Sequence, residues 1–302
     1  VAPKRRAAPT GPPLLRAALK AAPLVLLAAC PWPGSGPDCR PISDAAPLPP
    51  GLEESSGVAV SRTHPGVFWT HDDGAAPYLF AVDASGALIG RVRLDGPPLV
   101  DWEDLELAAC GAQHCLYAAD TGDNFLRRET LRILRFPEPD PRRDTVVTVE
   151  VLDVLLPDGP RDIEALFVLP GERLHLVSKG GGSPISVYRA PTPVRFDAAG
   201  AATFQEVQRL SDGPVTLPRR VTGASATLDG EGVVVRSYET LQLHRVRGDT
   251  LAALEGGTVN LRTLREAQGE GVGVGDDGVI ALTSEAGPFG QHGSIQLMRC
   301  GW

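Results

Sequence analysis

Acidic residues recur at one fixed place in a repeated pattern of this chain. The apolar runs starting at Ser56, Glu103, Glu164 and Glu270 align, and two places before them stand Glu54, Asp101, Asp162 and Gln268. A weaker copy starts at Gly223. Each run leads through a short turn into a second apolar segment that ends in a polar loop. Those loops carry His71, Asp72 and Asp73, then Asp120, Asp123 and Asn124, then Lys179, then Tyr238 and Glu239, and finally Glu285. Carboxylates gathered this densely repel one another unless some stay protonated, some pair with a base such as Lys179, Arg161 or Arg236, or a hard cation binds them. Calcium, which takes six to eight oxygens in flexible geometry, suits such loops. The expected ligands are drawn from Glu54, Asp72, Asp101, Glu103, Asp120, Asp123, Glu164 and Glu270. Acids at strand starts also cap loops and accept backbone amides, and that role competes at each position.

The same residues could support catalysis. Glu103 or Glu164 would activate water as a general base, and Lys179 would steady an anion. Lys179 is the only lysine beyond residue 20, every other base there being arginine or histidine. A compact ammonium among carboxylates can hold an anion or replace a metal ion. Other chemistries find no support. The six histidines show no zinc-binding spacing, no Gly-x-Ser-x-Gly nucleophile turn is present, and Gly180-Gly181-Gly182 lacks the Lys-Ser/Thr of a phosphate loop.

What must position these acids is a ring of short strands. The repeats recur every 47 to 61 residues. Glycine and proline are plentiful and helix-period segments are nearly absent, which predicts an all-β, single-domain β-propeller. Five four-stranded blades are expected, with room for a sixth unit between Glu103 and Gly223. Residues 145–155 read as the outer strand of blade 2, 203–210 as that of blade 3, and 259–264 as that of blade 4. Blade 5 lacks an outer strand, and residues 39–44 are free to supply it and close the ring. A β-sandwich would not explain the matched acids. In a propeller, the innermost strand begins on the face where the second strand ends, so both sets of acids converge on one channel mouth.

The chain's start has a different character. Lys4, Arg5, Arg6, Arg16 and Lys20 precede a short apolar stretch, residues 21–29, too short to span a bilayer. It ends in Leu27-Ala28-Ala29-Cys30, which resembles the lipobox of bacterial lipoproteins. Residues 1–29 are therefore expected to be a signal peptide, Cys30 the lipidated residue, 30–38 a Pro/Gly tether and 39–302 the propeller. The protein is expected to be exported and membrane-anchored through that lipid, in the periplasm or at the cell surface. Without the five positive charges of residues 1–29, the formal charge of −8 becomes −13. Such acidity argues against nucleic acid as a partner and suits divalent cations or basic ligands. Four cysteines remain beyond Cys30, an even number in an oxidising compartment. Cys110 and Cys115 flank a hairpin turn, and Cys39 and Cys300 lie at the two ends of the ring. Disulfides between these partners are expected, the second clasping the ring.

With these residues in view, the chain resembles a family of exported bacterial propeller proteins. The resemblance rests on Glu54-Ser55-Ser56-Gly57, Trp69-Thr70-His71-Asp72-Asp73-Gly74, Asp101-Trp102-Glu103-Asp104-Leu105, Gly122-Asp123-Asn124, Phe136-Pro137-Glu138-Pro139, Asp162-Ile163-Glu164-Ala165-Leu166 and Val187-Tyr188-Arg189. It implies the fold and export and brings no established reaction. More distantly, the acidic mouth is similar to those of β-propeller phytases and of the gluconolactonase and paraoxonase group. Two readings follow. One is a lipid-anchored propeller that binds calcium and, at the same mouth, a ligand or protein partner. The other is a metal-dependent hydrolase of phosphoesters or lactones.

Overall fold

A computed structural model describes residues 1–3 and 37–301; Cys30 and the basic leader lie outside the described residues. All described strands lie in the compact unit Gly34–Trp302. They form five sheets of four or five strands, one per blade. The innermost strands are Ser55–Val60, Trp102–Cys110, Ile163–Leu169, Val221–Ala226 and Gln268–Val274. Each pairs antiparallel with the second strand of its blade: Phe68–Asp72, Gln113–Asp120, Arg173–Ser178, Gly232–Ser237 or Val279–Glu285.

Apolar residues alternate along these strands, and each sheet buries both faces against its neighbours. Five hydrophobic clusters result, one at each junction between adjacent blades, including that between the last blade and the first. Trp69 and Trp102, both fully buried, fill the junction of blades 1 and 2. The ring is thereby closed by burial on every side, the dominant favourable term in such a fold.

Closure follows the expected route. Cys39–Pro41 adds to the outer edge of Ser294–Cys300 in blade 5, with Cys39 directly opposite Cys300. Those two cysteines are bonded across 261 residues, and Cys110 is bonded to Cys115.

The outer strands depart from expectation at three places. Residues 145–155 divide at Val149. Thr145–Thr148 crosses to blade 1 and pairs parallel with Leu88–Asp95, whereas Glu150–Leu155 stays in blade 2. Likewise Ala202–Thr203 pairs parallel with blade 2 before Gln205–Arg209 completes blade 3. Val149 and Phe204, both buried, mark the two crossings. Each exchange covers a sheet edge that would otherwise be open. In blade 4 the outer strand begins at Thr250 rather than at residue 259 and runs to Asn260.

Candidate functional site

The acidic repeat has a backbone cause. In all five blades the innermost strand carries one extra residue near its start, where the pairing register shifts. Glu103, Glu164 and Glu270 stand at this bulge in blades 2, 3 and 5, Ser56 in blade 1 and Thr222 in blade 4. A bulge re-aims its side chain. The weak copy in blade 4 is thus offset by one from the sequence alignment, because Thr222, not Gly223, occupies the acid's place. The two hydroxyls serve packing. Ser56 Oγ donates to the Glu103 carbonyl at 2.6 Å and Thr222 Oγ1 to the Glu270 carbonyl at 3.0 Å, each tying its blade to another's bulge.

Two carboxylate groups form at the mouth. Glu103, Asp162 and Glu164 each bring one oxygen within 4.8 Å of the others, and Glu54, Asp72 and Asp73 do the same. Either group could hold a metal ion. Asp101 borders the first: a Cβ on Gly122 would lie 2.2 Å from Glu103 Oε1 and 2.5 Å from Asp101 Oδ2. Only glycine lets this loop approach both carboxyls so closely.

The first group has its own cation. Lys179 Nζ lies 2.5 Å from Glu164 Oε1, 3.4 Å from Asp162 Oδ2 and 3.4 Å from Asn124 Oδ1. Burial works against the ammonium, but Glu164 and Asp162 outweigh it and raise its pKa. Burial also pushes Glu164 up to about 8, with Lys179 opposing and Asp162 adding to the rise. Both partners shift upward because one ammonium serves several carboxyls: it stays charged, and protons remain on the surplus acids. Glu103 carries the same sign, raised well above its usual range by burial and then by Glu164 and Asp101.

The second group has no such partner. Among the described residues, Glu54, Asp72, Asp73, Glu270 and Glu285 make no ion pair. Burial and then Glu54 and Glu285 push Asp73 up to about 7. Asp72 is raised chiefly by burial, and Glu270 is raised by burial, then by Glu164 and Glu285. Tyr238 is raised by burial and then by Glu270, with Lys179 opposing and Glu164 and Glu285 adding to the rise.

Several residues expected at the mouth do other work. Asp123 accepts the amides of Arg127 and Arg128 at 2.8 Å, one on each oxygen, so it caps its own loop. Asp120 Oδ1 accepts the amides of Val100 and Asp101 and pairs with Arg128 at 3.1 Å. Asp104 lies on the axis below the mouth, fully buried. It accepts the amides of Leu105, Leu166 and Ala224 at 2.8–3.1 Å and so pins blades 2, 3 and 4 together. His71 is buried and stacked on Trp102 with ring centroids 4.0 Å apart. Its Nε2 accepts the Gly57 amide and its Nδ1 faces the Asp72 carbonyl, an arrangement that suits the neutral ring; burial lowers its pKa to about 4. Glu239 pairs with Arg262. Arg161 pairs with Asp158 and Arg236 with Glu266, and Arg236 also opposes the rise in the pKa of Glu270, which burial drives. Asp73 and Asp162 belong to the two groups although they stand outside the expected ligand set. Asp162 occupies the repeat's leading position and Asp73 follows Asp72, so both carried a readable signal.

No protein-family model matches the chain, and no curated protein does. Solved structures match it. The PQQ-bound aldose sugar dehydrogenase of Streptomyces coelicolor aligns with a TM-score of 0.53 at 14% identity, over 89% of this chain and 100% of that one. A putative gluconolactonase aligns at 0.46 and 13% identity over 88% and 93% of the two chains. A gluconolactonase of Xanthomonas campestris aligns at 0.44 and 15% identity over 82% and 72%. The likeness is one of fold.

Proposed function

We propose that this is a lipid-anchored, extracytoplasmic binding propeller whose mouth holds a calcium ion, through which a ligand or protein partner is engaged. The supporting observation is the division of the mouth. One carboxylate group encloses Lys179, whereas Glu54, Asp72 and Asp73 converge without a base. Calcium would sit on that second group, with Glu270 and Glu285 nearby to adjust its charge. The half-buried Asp72 and Asp73, whose pKa values are raised by burial and then by neighbouring carboxyls, gain from a divalent cation. Asp123, both of whose oxygens serve backbone amides, drops out of the ligand set, and so does Asp120, whose Oδ1 accepts two amides and pairs with Arg128. Lipidation of Cys30 would hold the propeller at a membrane, consistent with two disulfides and an acidic surface.

Calorimetric titration of calcium into the purified domain tests the metal site. One site of micromolar to millimolar affinity is expected, lost on Asp72→Asn/Asp73→Asn substitution. Absence of heat, with no metal by elemental analysis, would reject it. Cys30→Ala should release the protein from the membrane fraction, and continued labelling by a fatty-acid probe would contradict the anchor.

A hydrolase reading draws on one further observation. Glu164 is buried, has a pKa of about 8 and touches Lys179, which is a setting for general acid–base catalysis. Lactone or phosphoester turnover that Glu164→Gln abolishes without lowering the melting temperature would favour it.

A further inference from the structure

A cleft of about 560 Å³ opens between blades 3 and 4, within the size range of small-molecule sites. The outer strand of blade 4 creates it. Gln242 pairs with Thr258, but His244, two residues on, pairs with Ala253, so residues 254–257 leave the ladder. Gly256 has a φ of +67°, and a Cβ on Gly257 would stand 2.8 Å from the Leu254 Cβ, so the bulge depends on both glycines.

The cleft's chemistry is opposite to that of the mouth. In a chain of net charge −8, its lining includes Arg209, Arg219, Arg236 and His244 and no carboxylate. Arg209 is paired with Glu206 and Arg236 with Glu266. Arg219 makes no side-chain hydrogen bond or ion pair among the described residues. A second cavity of about 420 Å³ shares Arg219, Thr240 and Thr258 with the first, which sets this free guanidinium at their junction. One buried polar atom of the cleft's wall, His244 Nδ1, has no hydrogen-bond partner, whereas the Arg236 guanidinium turns the other way, to Gly271 and Thr283 of blade 5 and to Glu266. A buried polar group is rarely left so, and His244 marks a place where an outside partner would be favourable. Ile185, Leu210, Val221, Val235 and Leu251 add apolar wall.

We propose that this cleft binds a small organic anion, with its carboxylate, sulfonate or phosphate head at Arg219 and an apolar body against Ile185, Leu210 and Leu251. The site is independent of the calcium reading.

The probe is 8-anilinonaphthalene-1-sulfonate, an anionic head on an aromatic body, titrated into the folded protein by fluorescence. One saturable site is expected. Arg219→Ala, at an exposed position where folding is insensitive, should weaken it by about tenfold or more, the loss of one charged hydrogen-bond partner. Ala253→Trp, also at an exposed position, should crowd the cleft and weaken binding as well. The uncharged N-phenyl-1-naphthylamine should bind at least about tenfold more weakly than the sulfonate. Asp72→Asn/Asp73→Asn should leave the sulfonate's binding unchanged, so failure here and failure at the mouth are separable. No saturable binding by the wild-type protein, undiminished binding by Arg219→Ala, or equal affinity for the uncharged dye would each overturn the proposal.

Discussion

The two halves of the channel mouth are both acidic, yet they draw their acids from different positions of the repeat and are electrostatically unlike. In the half made by blades 2 and 3, Glu103, Asp162 and Glu164 close around Lys179. In the half made by blades 1 and 5, burial and then Glu54, Glu285 and Asp72 raise the pKa of Asp73, and these four acids make no ion pair among the described residues, with Lys179 opposing only at Glu285. One half contains its cation covalently; the other must retain protons or take a cation from solution. The difference teaches that an acidic cluster is not one kind of site. A few paces below, Asp104 makes the point again: its carboxylate serves three backbone amides and leaves little for any ligand.

Lys179→Met breaks the comparison most severely. It leaves Glu164 buried beside Asp162 with no ammonium, and removing one partner of a buried pair costs about 3–5 kcal/mol. Chemical denaturation at pH 8 should register the loss. The loss should shrink at pH 5, where the orphaned acids carry protons, and added calcium should recover part of it by entering the vacated group.

Next in size is the response to pH. Asp73 and Glu164 hold protons more tightly folded than unfolded, with pKa values of about 7 and 8 against usual values of 3.8 and 4.5. Groups raised in this way contribute stability that is complete below about pH 4 and is lost as pH climbs to 8. Calcium-free protein should therefore melt at lower temperature at pH 8 than at pH 5.5. Calcium should flatten the slope, most at the high end. A slope of the opposite sign would mean that these carboxyls are ionised and satisfied in the folded protein.

Glu103→Gln should change least. Burial, Glu164 and Asp101 all favour the protonated form of Glu103, which the amide matches in shape and charge, so the loss of stability should be smaller than that of Lys179→Met. A loss of several kcal/mol would place an essential negative charge on Glu103 and erase the asymmetry between the halves.

The parts of the molecule that were legible beforehand share a local cause. The repeated acid marks a bulge that recurs in every blade, so it appears in sequence as a fixed offset before each apolar run. Cys39 and Cys300 were legible because the ends of a ring must meet. The shift at Thr222 was hidden because Gly223-Ala224 imitates the small residues of Ser56-Gly57 when no acid is present to fix the frame. The parallel edge strands were hidden because residues 145–155 and 203–210 carry no turn or breaker residue, and only contact with a neighbouring blade divides them at Val149 and Phe204. The roles of Asp120 and Asp123 were equally closed to sequence. An acid in a loop can serve amides or a metal, and the choice depends on the fold around it, which brings the amides of Arg127 and Arg128 to Asp123 and those of Val100 and Asp101 to Asp120.

The central claim is that the half without a base binds calcium while the half with Lys179 does not need it. The most direct test is thermal unfolding of the purified domain in calcium and in excess chelator, for the wild type and for Asp72→Asn/Asp73→Asn. At a hundredfold over its dissociation constant the ion contributes about 2.7 kcal/mol, which for a domain of this size raises the melting temperature by roughly 5 °C or more. The account predicts that rise in the wild type and none in the double variant, which should also be the more stable of the two in chelator. Equal melting temperatures for the wild type with and without calcium would contradict it.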